Sequence, residues 1–483
     1  MSASASCATV VVLVAFAMGL FLGETNADAL VPSLISTQRL TFFYWGQDRL
    51  ASLVPLLAWP VRDAIWNFYV QSAVLGAGFF TLVALFARFH LRRARPGAAP
   101  MVLPLATLAA GLLVIVLVDP ITGYTFVFEQ PYALSTTVFL LGIRATLADH
   151  AGLRVLGAGL VLVAALLNPF VVALCPVAFL LDDAPGALRR AMWSIGVAVA
   201  ALVTSMLASS WFHDGPTQAG LYRDFSARRA IDALPTVIRQ IAVSVRFVPA
   251  MLIVTGAAAV LIVRRAALPS RLRLAYVGAP LFGLVCMAVF SGNRWVEVNL
   301  HSPRYFFPLY GAALLLLAGG AAESVAAVAE RLEARRARGT TLRALVAGIY
   351  AVATVAAIVG AVRARTIPVL DEARPVVELA AAGDVRLVAG TYWQVWPAVV
   401  RGRSDGLDLY GVTERSVAVQ DEIMSVVDGE LGTGGRVRVV CVDDDRQICV
   451  DWLSAVTGRA WAPAGAPDTS AAPQILQVAP AGT

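Results

Sequence analysis

The chain has 483 residues, of which 58% are hydrophobic and only 14% charged, with a mean hydropathy of +0.73. Soluble domains carry roughly 25% charged residues, so this composition excludes an ordinary soluble enzyme and indicates a membrane protein. The net charge of +6 comes from arginine without any lysine, and loop arginines account for it with no nucleic-acid partner.

A helix needs roughly 20 residues to cross a bilayer. Apolar runs of that order fall near 7–22, 65–87, 101–118, 131–148, 152–167, 187–209, 241–263, 273–290, 305–322 and 342–362. A shorter run at 170–181 follows the Asn168-Pro169 break and is expected to return across the membrane. The expectation is an α-helical polytopic membrane protein of about eleven transmembrane helices. With that count, four arginine clusters share one side: Arg88/Arg92/Arg93/Arg95, Arg189/Arg190, Arg264/Arg265/Arg271/Arg273 and Arg331/Arg335/Arg336/Arg338. The positive-inside rule makes that side, and the N-terminus, cytoplasmic. Loops 23–62, 119–130, 211–240 and 291–304 then face outward with everything after 363. A secretory cleavage site at Ala27-Asp28-Ala29 is a competing reading, but no basic residue precedes Glu24.

The first outward loop holds two amphipathic stretches, 31–40 and 49–57, flanking Phe42-Phe43-Tyr44-Trp45. They suit helices lying in the membrane interface with aromatics at headgroup depth. The 211–240 loop carries another helical candidate at 226–240. Beyond residue 363 the composition shifts, dividing a membrane body, 1–363, from a small extracytoplasmic α/β domain, 366–483. There, 385–389 and 436–442 read as strands and 393–400 and 420–431 as helices. From Ala462 onward Pro, Ala, Gly and Thr dominate, and a loosely ordered tail is expected. Cys441 and Cys449 flank Val-Asp-Asp-Asp-Arg-Gln-Ile and would face each other across a hairpin. A disulfide there suits an oxidising compartment, two half-buried thiols are the alternative, and the spacing is not that of a metal site.

The candidate chemistry lies in the outward loops. Asp28, with Glu24 beside it, follows the first span, where a carboxylate can act as general base on an acceptor hydroxyl; a solvated loop charge is the plain alternative. Asp48 and Arg49 read as a local ion pair or as substrate contacts, and Tyr44 and Trp45 as interface anchors or sugar-stacking groups. Asp119 either ends the preceding helix or joins the site. Glu129 stands where a span begins, and a charge in hydrocarbon costs about 2.5 to 3.5 kcal/mol, so it should face a polar cavity. The segment Ser291 to Tyr305 is the densest polar loop. Its guanidinium groups, Arg294 and Arg304, suit a lipid phosphate through forked donors, with His301 and Tyr305 beside them. No Walker A loop, H-E-x-x-H or strand-borne G-x-G-x-x-G occurs, which argues against ATP-driven transport by this chain alone.

With these residues in view, the chain resembles the GT-C class of integral-membrane glycosyltransferases, which use polyprenyl-phosphate sugars. Asp28 matches the acidic position of the first outward loop, Glu129 or Asp119 the second acidic position, and Arg304-Tyr305 an Arg-Tyr before a late helix. Tyr392-Trp393-Gln-Val-Trp396-Pro397 looks like a motif in the tails of some bacterial relatives. The resemblance implies a polyprenyl-phosphate-linked sugar as donor, a glycan, lipid or protein as acceptor, and a site at the outer face of a bacterial cytoplasmic (inner) membrane. Asp28 would be the catalytic base with Glu129 as second catalytic acid, and transfer would invert the anomeric centre. A divalent cation, Mg or Mn, is a candidate cofactor, although Asp28 is not followed by the second acid of the paired-acid motif. Rival readings are a transporter or flippase, a non-catalytic envelope scaffold, and a polymerase or ligase of lipid-linked glycans using Arg223, Arg228 and Arg229.

Overall fold

The structure is a computed structural model that describes residues 2–47, 50–181, 186–212, 224–264, 269–334, 348, 351–352, 354–355, 357–360, 362, 366–464 and 472–481. Asp48, Arg49, Arg223 and much of the expected span at 342–362 lie outside the described residues. Two compact units emerge: Met1–Leu22, Ala73–Met206 and Gln218–Arg365 form one, and Gly23–Ser72, Leu207–Thr217 and Thr366–Thr483 the other. The polar segment after the first helix therefore folds with the tail, which a boundary drawn at 363–366 did not anticipate.

The first unit is helical. Among the described residues, five helices are long and apolar enough to cross a membrane, and a sixth if Pro120–Glu129 and Tyr132–Thr146, bent by 47° at Gln130-Pro131, count as one span. Four further apolar helices, Val102–Leu117, Ala151–Leu167, Pro169–Leu181 and Val248–Val260, fall short of that length. Length alone does not reach the expected eleven. The 119–130 segment, expected to be a loop, is helical because Asp119 caps Pro120–Tyr124 and a π-helical turn, Thr125–Glu129, follows. The helix expected at 226–240 is present as the amphipathic Ala227–Val243, and the run expected at 241–263 forms the helix Val248–Arg264 after a break. Helices Tyr132–Thr146 and Ala151–Leu167 bury Phe139, Ile143, Val161 and Ala164 in one cluster. Several buried polar groups in this apolar unit are paired, as a low dielectric favours. His90 meets Tyr276 Oη at 2.7 Å and Glu323 at 2.9 Å, and Arg95 bridges Glu323 (3.1 Å) and Glu330 (2.8 Å).

The second unit is built on a five-stranded sheet of order β2-β1-β3-β5-β4, with β1 Leu387–Ala389, β2 Tyr410–Val412, β3 Val437–Cys441, β4 Trp461–Pro463 and β5 Gln474–Pro480. The first three strands are parallel, joined by helices Tyr392–Ser404 and Gln420–Gly434, and β5 runs antiparallel to both β3 and β4. The expectation of a loose tail is corrected at 474–480. Alternating burial of Leu476 and Val478 lets this segment pair on both edges despite its Pro- and Ala-rich surroundings. The stretch expected to lie in the interface at 31–40 belongs, up to Thr37, to the helix Ala27–Thr37. Leu30, Val31, Leu34 and Ile35 are buried in this unit, where the helix packs on Tyr392–Ser404. Cys441 and Cys449 are bonded, with Cα atoms 5.8 Å apart. Cys449 lies in helix Arg446–Thr457, so the bridge ties a strand to a helix instead of closing the expected hairpin. Asp445 accepts the Gln447 N–H (2.9 Å) and so starts that helix after the turn.

Candidate active site

Asp28 sits in the first turn of helix Ala27–Thr37, whose N-cap Asn26 accepts the Ala29 N–H at 3.2 Å. Its Oδ1 accepts a hydrogen bond from the Tyr392 hydroxyl at 2.8 Å and lies 3.1 Å from the Arg415 guanidinium. Arg415 also donates to Tyr392 Oη at 2.7 Å, with its guanidinium carbon 4.8 Å from the Tyr392 ring centroid. The three side chains close a triangle. The carboxylate thus sits at a helix N-terminus beside a cation and a phenol, and 14% exposure of the Asp28 side chain leaves it partly reachable. Arg415 occupies a left-handed backbone position, φ 70°. Such a conformation costs a non-glycine residue about 1 to 3 kcal/mol and persists only where its surroundings enforce it. Gly46 leaves room for the Arg415 side chain: a Cβ there would lie 2.8 Å from Arg415 Cγ.

A second polar cluster lies in the first unit. Glu129, its side chain 3% exposed, accepts from Thr125 Oγ1 (3.1 Å), Gln130 Nε2 (2.9 Å) and Arg304 Nη1 (3.2 Å). Arg304 also donates to Asn299 Oδ1 at 3.1 Å, and its guanidinium lies 5.2 Å from the Tyr305 ring centroid. Glu129 thus orients Arg304 within an ion pair. Asp28, the other acid of the expected pair, belongs to the second unit.

The remaining candidates are dispersed. Glu24 is exposed on a turn, Leu22–Glu24. Asp119 is a helix cap, accepting from the backbone N–H groups of Ile121 (3.0 Å) and Thr122 (3.3 Å). Tyr44 and Trp45, read from the sequence as interface anchors or sugar-stacking groups, are both buried in the second unit. Trp45 donates to Arg39 O at 3.1 Å and packs 5.8 Å from Trp396, and burial pushes the Tyr44 phenol well above its ordinary pKa. Arg294 is half-exposed and paired with Glu297 at 2.7 Å. His301 is buried in a left-handed backbone position, φ 52°, after Leu300 at φ 56°.

Among the described residues no three His, Cys, Asp or Glu side chains gather as metal ligands. Each candidate carboxylate, Asp28 and Glu129, already faces an arginine. That donor set is ill-suited to a divalent cation, which such a neighbour repels.

Sequence reasoning missed Arg415 altogether and gave Tyr392 no role, although the Tyr392-Trp393 motif drew notice. A solitary Arg in Thr413-Glu414-Arg415-Ser416 carries no pattern, and Tyr392 is 364 residues from Asp28.

No family model matches the chain, and no curated protein matches its sequence. Among solved structures, the fold matches ArnT from Cupriavidus metallidurans, described as bound to undecaprenyl phosphate, with a TM-score of 0.53 and 14% identity over 98% of this chain and 97% of that one. Across nearly its full length, the chain therefore shares the fold of that ArnT structure.

Proposed function

We propose that this chain is a membrane glycosyltransferase that moves a sugar from a polyprenyl-phosphate donor to an acceptor hydroxyl by one inverting displacement, at the outer face of a bacterial cytoplasmic membrane. The observation that carries the reading is the partly exposed Asp28 carboxylate, fixed by Tyr392 and Arg415. The shared fold supports it.

In this mechanism Asp28 receives the acceptor's proton while the acceptor oxygen bonds to the anomeric carbon and the carbon–phosphate oxygen bond breaks. The attacked carbon is oxocarbenium-like, so the incoming hydroxyl becomes strongly acidic as its bond forms. A carboxylate is basic enough for that proton. The departing phosphate is a weak base and needs charge neutralisation more than protonation.

The test is transfer of radiolabelled sugar from a pool of polyprenyl-phosphate sugars, with acceptor supplied, by the protein in lipid nanodiscs. Wild type should turn over, and Asp28→Asn should lose about 10²- to 10⁴-fold. Unchanged activity in the variant removes Asp28 as base, and no turnover by wild type with any donor refutes the reading.

A further inference from the structure

Helix Tyr392–Ser404 begins without a cap from its own N-terminal residue. The Thr391 hydroxyl donates to Gln394 Oε1 at 3.1 Å instead of accepting from the backbone. The acceptor comes from 52 residues further on: Asp443 Oδ2 takes the Thr391 N–H at 2.6 Å. A carboxylate at that point satisfies an orphan donor and complements the helix dipole. Its approach depends on Gly390, at φ +139°, where a Cβ would stand 2.4 Å from the same oxygen. The next residue along is Tyr392, the donor to Asp28.

The segment that carries Asp443 is itself fixed on both sides. Val442 N–H donates to Ala389 O at 3.0 Å, continuing the β1–β3 pairing, and the Cys441–Cys449 bond closes 442–448 between two buried cysteines. Asp443, Asp444 and Asp445 are consecutive like charges. Without a covalent closure their repulsion would favour opening the turn.

Resting on the reading of Asp28 as base, we propose that Asp443 is a positioning residue for glycosyl transfer: it fixes the start of the Tyr392 helix, and through Tyr392 the carboxylate of Asp28, while the Cys441–Cys449 bridge holds Asp443 in place. No redox step is involved.

The test uses the full chain in nanodiscs and compares wild type with Asp443→Ala, Asp443→Asn and the Cys441→Ser/Cys449→Ser double variant. Sugar transfer is read as kcat and donor KM, and backbone hydrogen exchange is followed over 387–400 and 24–37. A small misplacement of a catalytic group costs about 10²-fold, so Asp443→Ala should lower kcat by that order with donor KM unchanged. Asp443→Asn, whose amide oxygen still accepts the Thr391 N–H, should recover most of it, and the bridge-less variant should lose about tenfold. Exchange at Thr391 and Tyr392, and in the Ala27–Thr37 helix, should speed up in Asp443→Ala and in the bridge-less chain. Unchanged kcat in Asp443→Ala overturns the proposal, as does a loss that the Asn variant fails to rescue or unaltered exchange at Thr391. If wild type transfers no sugar, the function reading fails by itself. Exchange then decides the mechanical link: acceleration in the Asp28 helix upholds it, and its absence overturns it.

Discussion

Replacing Tyr392 by Phe deletes one oxygen and leaves the ring in place, edge-on to Trp393 at 5.2 Å and Trp396 at 6.3 Å. What is lost is the 2.8 Å hydrogen bond to Asp28 and the 2.7 Å contact with Arg415. A hydrogen bond to a charged group is worth about 1.5 to 3 kcal/mol. Arg415 remains 3.1 Å from the carboxylate and can turn further toward it, and the site is partly solvated, so the net loss should be about 1 to 2 kcal/mol. Carried into the transition state, that lowers transfer about 5- to 30-fold. The assay is radiolabelled sugar transfer in nanodiscs alongside thermal unfolding of the same preparation. Because the ring packing is kept, the unfolding midpoint should fall by no more than about 2 to 8 °C, the shift that this loss alone produces. Transfer within about twofold of wild type would show that the phenol does not bear on the base. A loss of transfer matched by a large fall in midpoint would make Tyr392 a folding residue and refute the assignment.

Further outcomes follow from the same geometry. Glu129→Gln and Arg304→Gln should each cost about 3 kcal/mol by leaving a poorly solvated charge without its main counterion, whereas the double variant should recover about 1 to 3 kcal/mol of that sum, as read by unfolding in one detergent. Additive losses would deny the pairing. Trp45→Ala should destabilise the second unit by about 3 to 5 kcal/mol because Trp45 is fully buried, while the exposed Trp393→Ala should stay within about 0.5 kcal/mol; equal effects would contradict that placement. For Asp408, burial raises the carboxyl pKa, but Arg386 foremost, with Tyr410 and Arg403, holds it below its ordinary value. A depressed carboxylate stabilises above its unfolded pKa of about 3.9 and loses that contribution as pH falls through the folded value. Asp408→Asn should therefore have a slightly lower midpoint than wild type at pH 7, with the gap closing near pH 3; a gap that persists there would refute the linkage.

The tail shows where local pattern succeeds and where it fails. Strands at Leu387–Ala389 and Val437–Cys441 were legible because β-branched runs bounded by glycine carry their own signal. The stretch around Ile448-Cys449-Val450 has the same composition and read as a strand, yet Asp445 caps a helix there whose buried face is Cys449, Val450, Leu453 and Val456. A 3.6-residue period is hard to distinguish from a strand over so few residues. Near the C-terminus, the alternation in Ile475-Leu-Gln-Val478 was outweighed by neighbouring Pro and Ala until two partner strands supplied its hydrogen bonds.

By itself, the sequence determined that this is a membrane protein and where most of its long apolar runs lie, because the hydrophobic length of a segment is a local property that bilayer thickness reads directly. It also determined that Asp28 lies just after the first apolar run, whereas the Asn26 cap that starts a helix at Ala27 emerged only in the structure. Only the tertiary structure decided which groups surround that carboxylate. Tyr392 and Arg415 reach it from the far end of the chain through sheet pairing, a capped helix and one left-handed backbone position. Side-chain contacts between distant segments depend on how whole elements pack, and no window of the sequence contains that information.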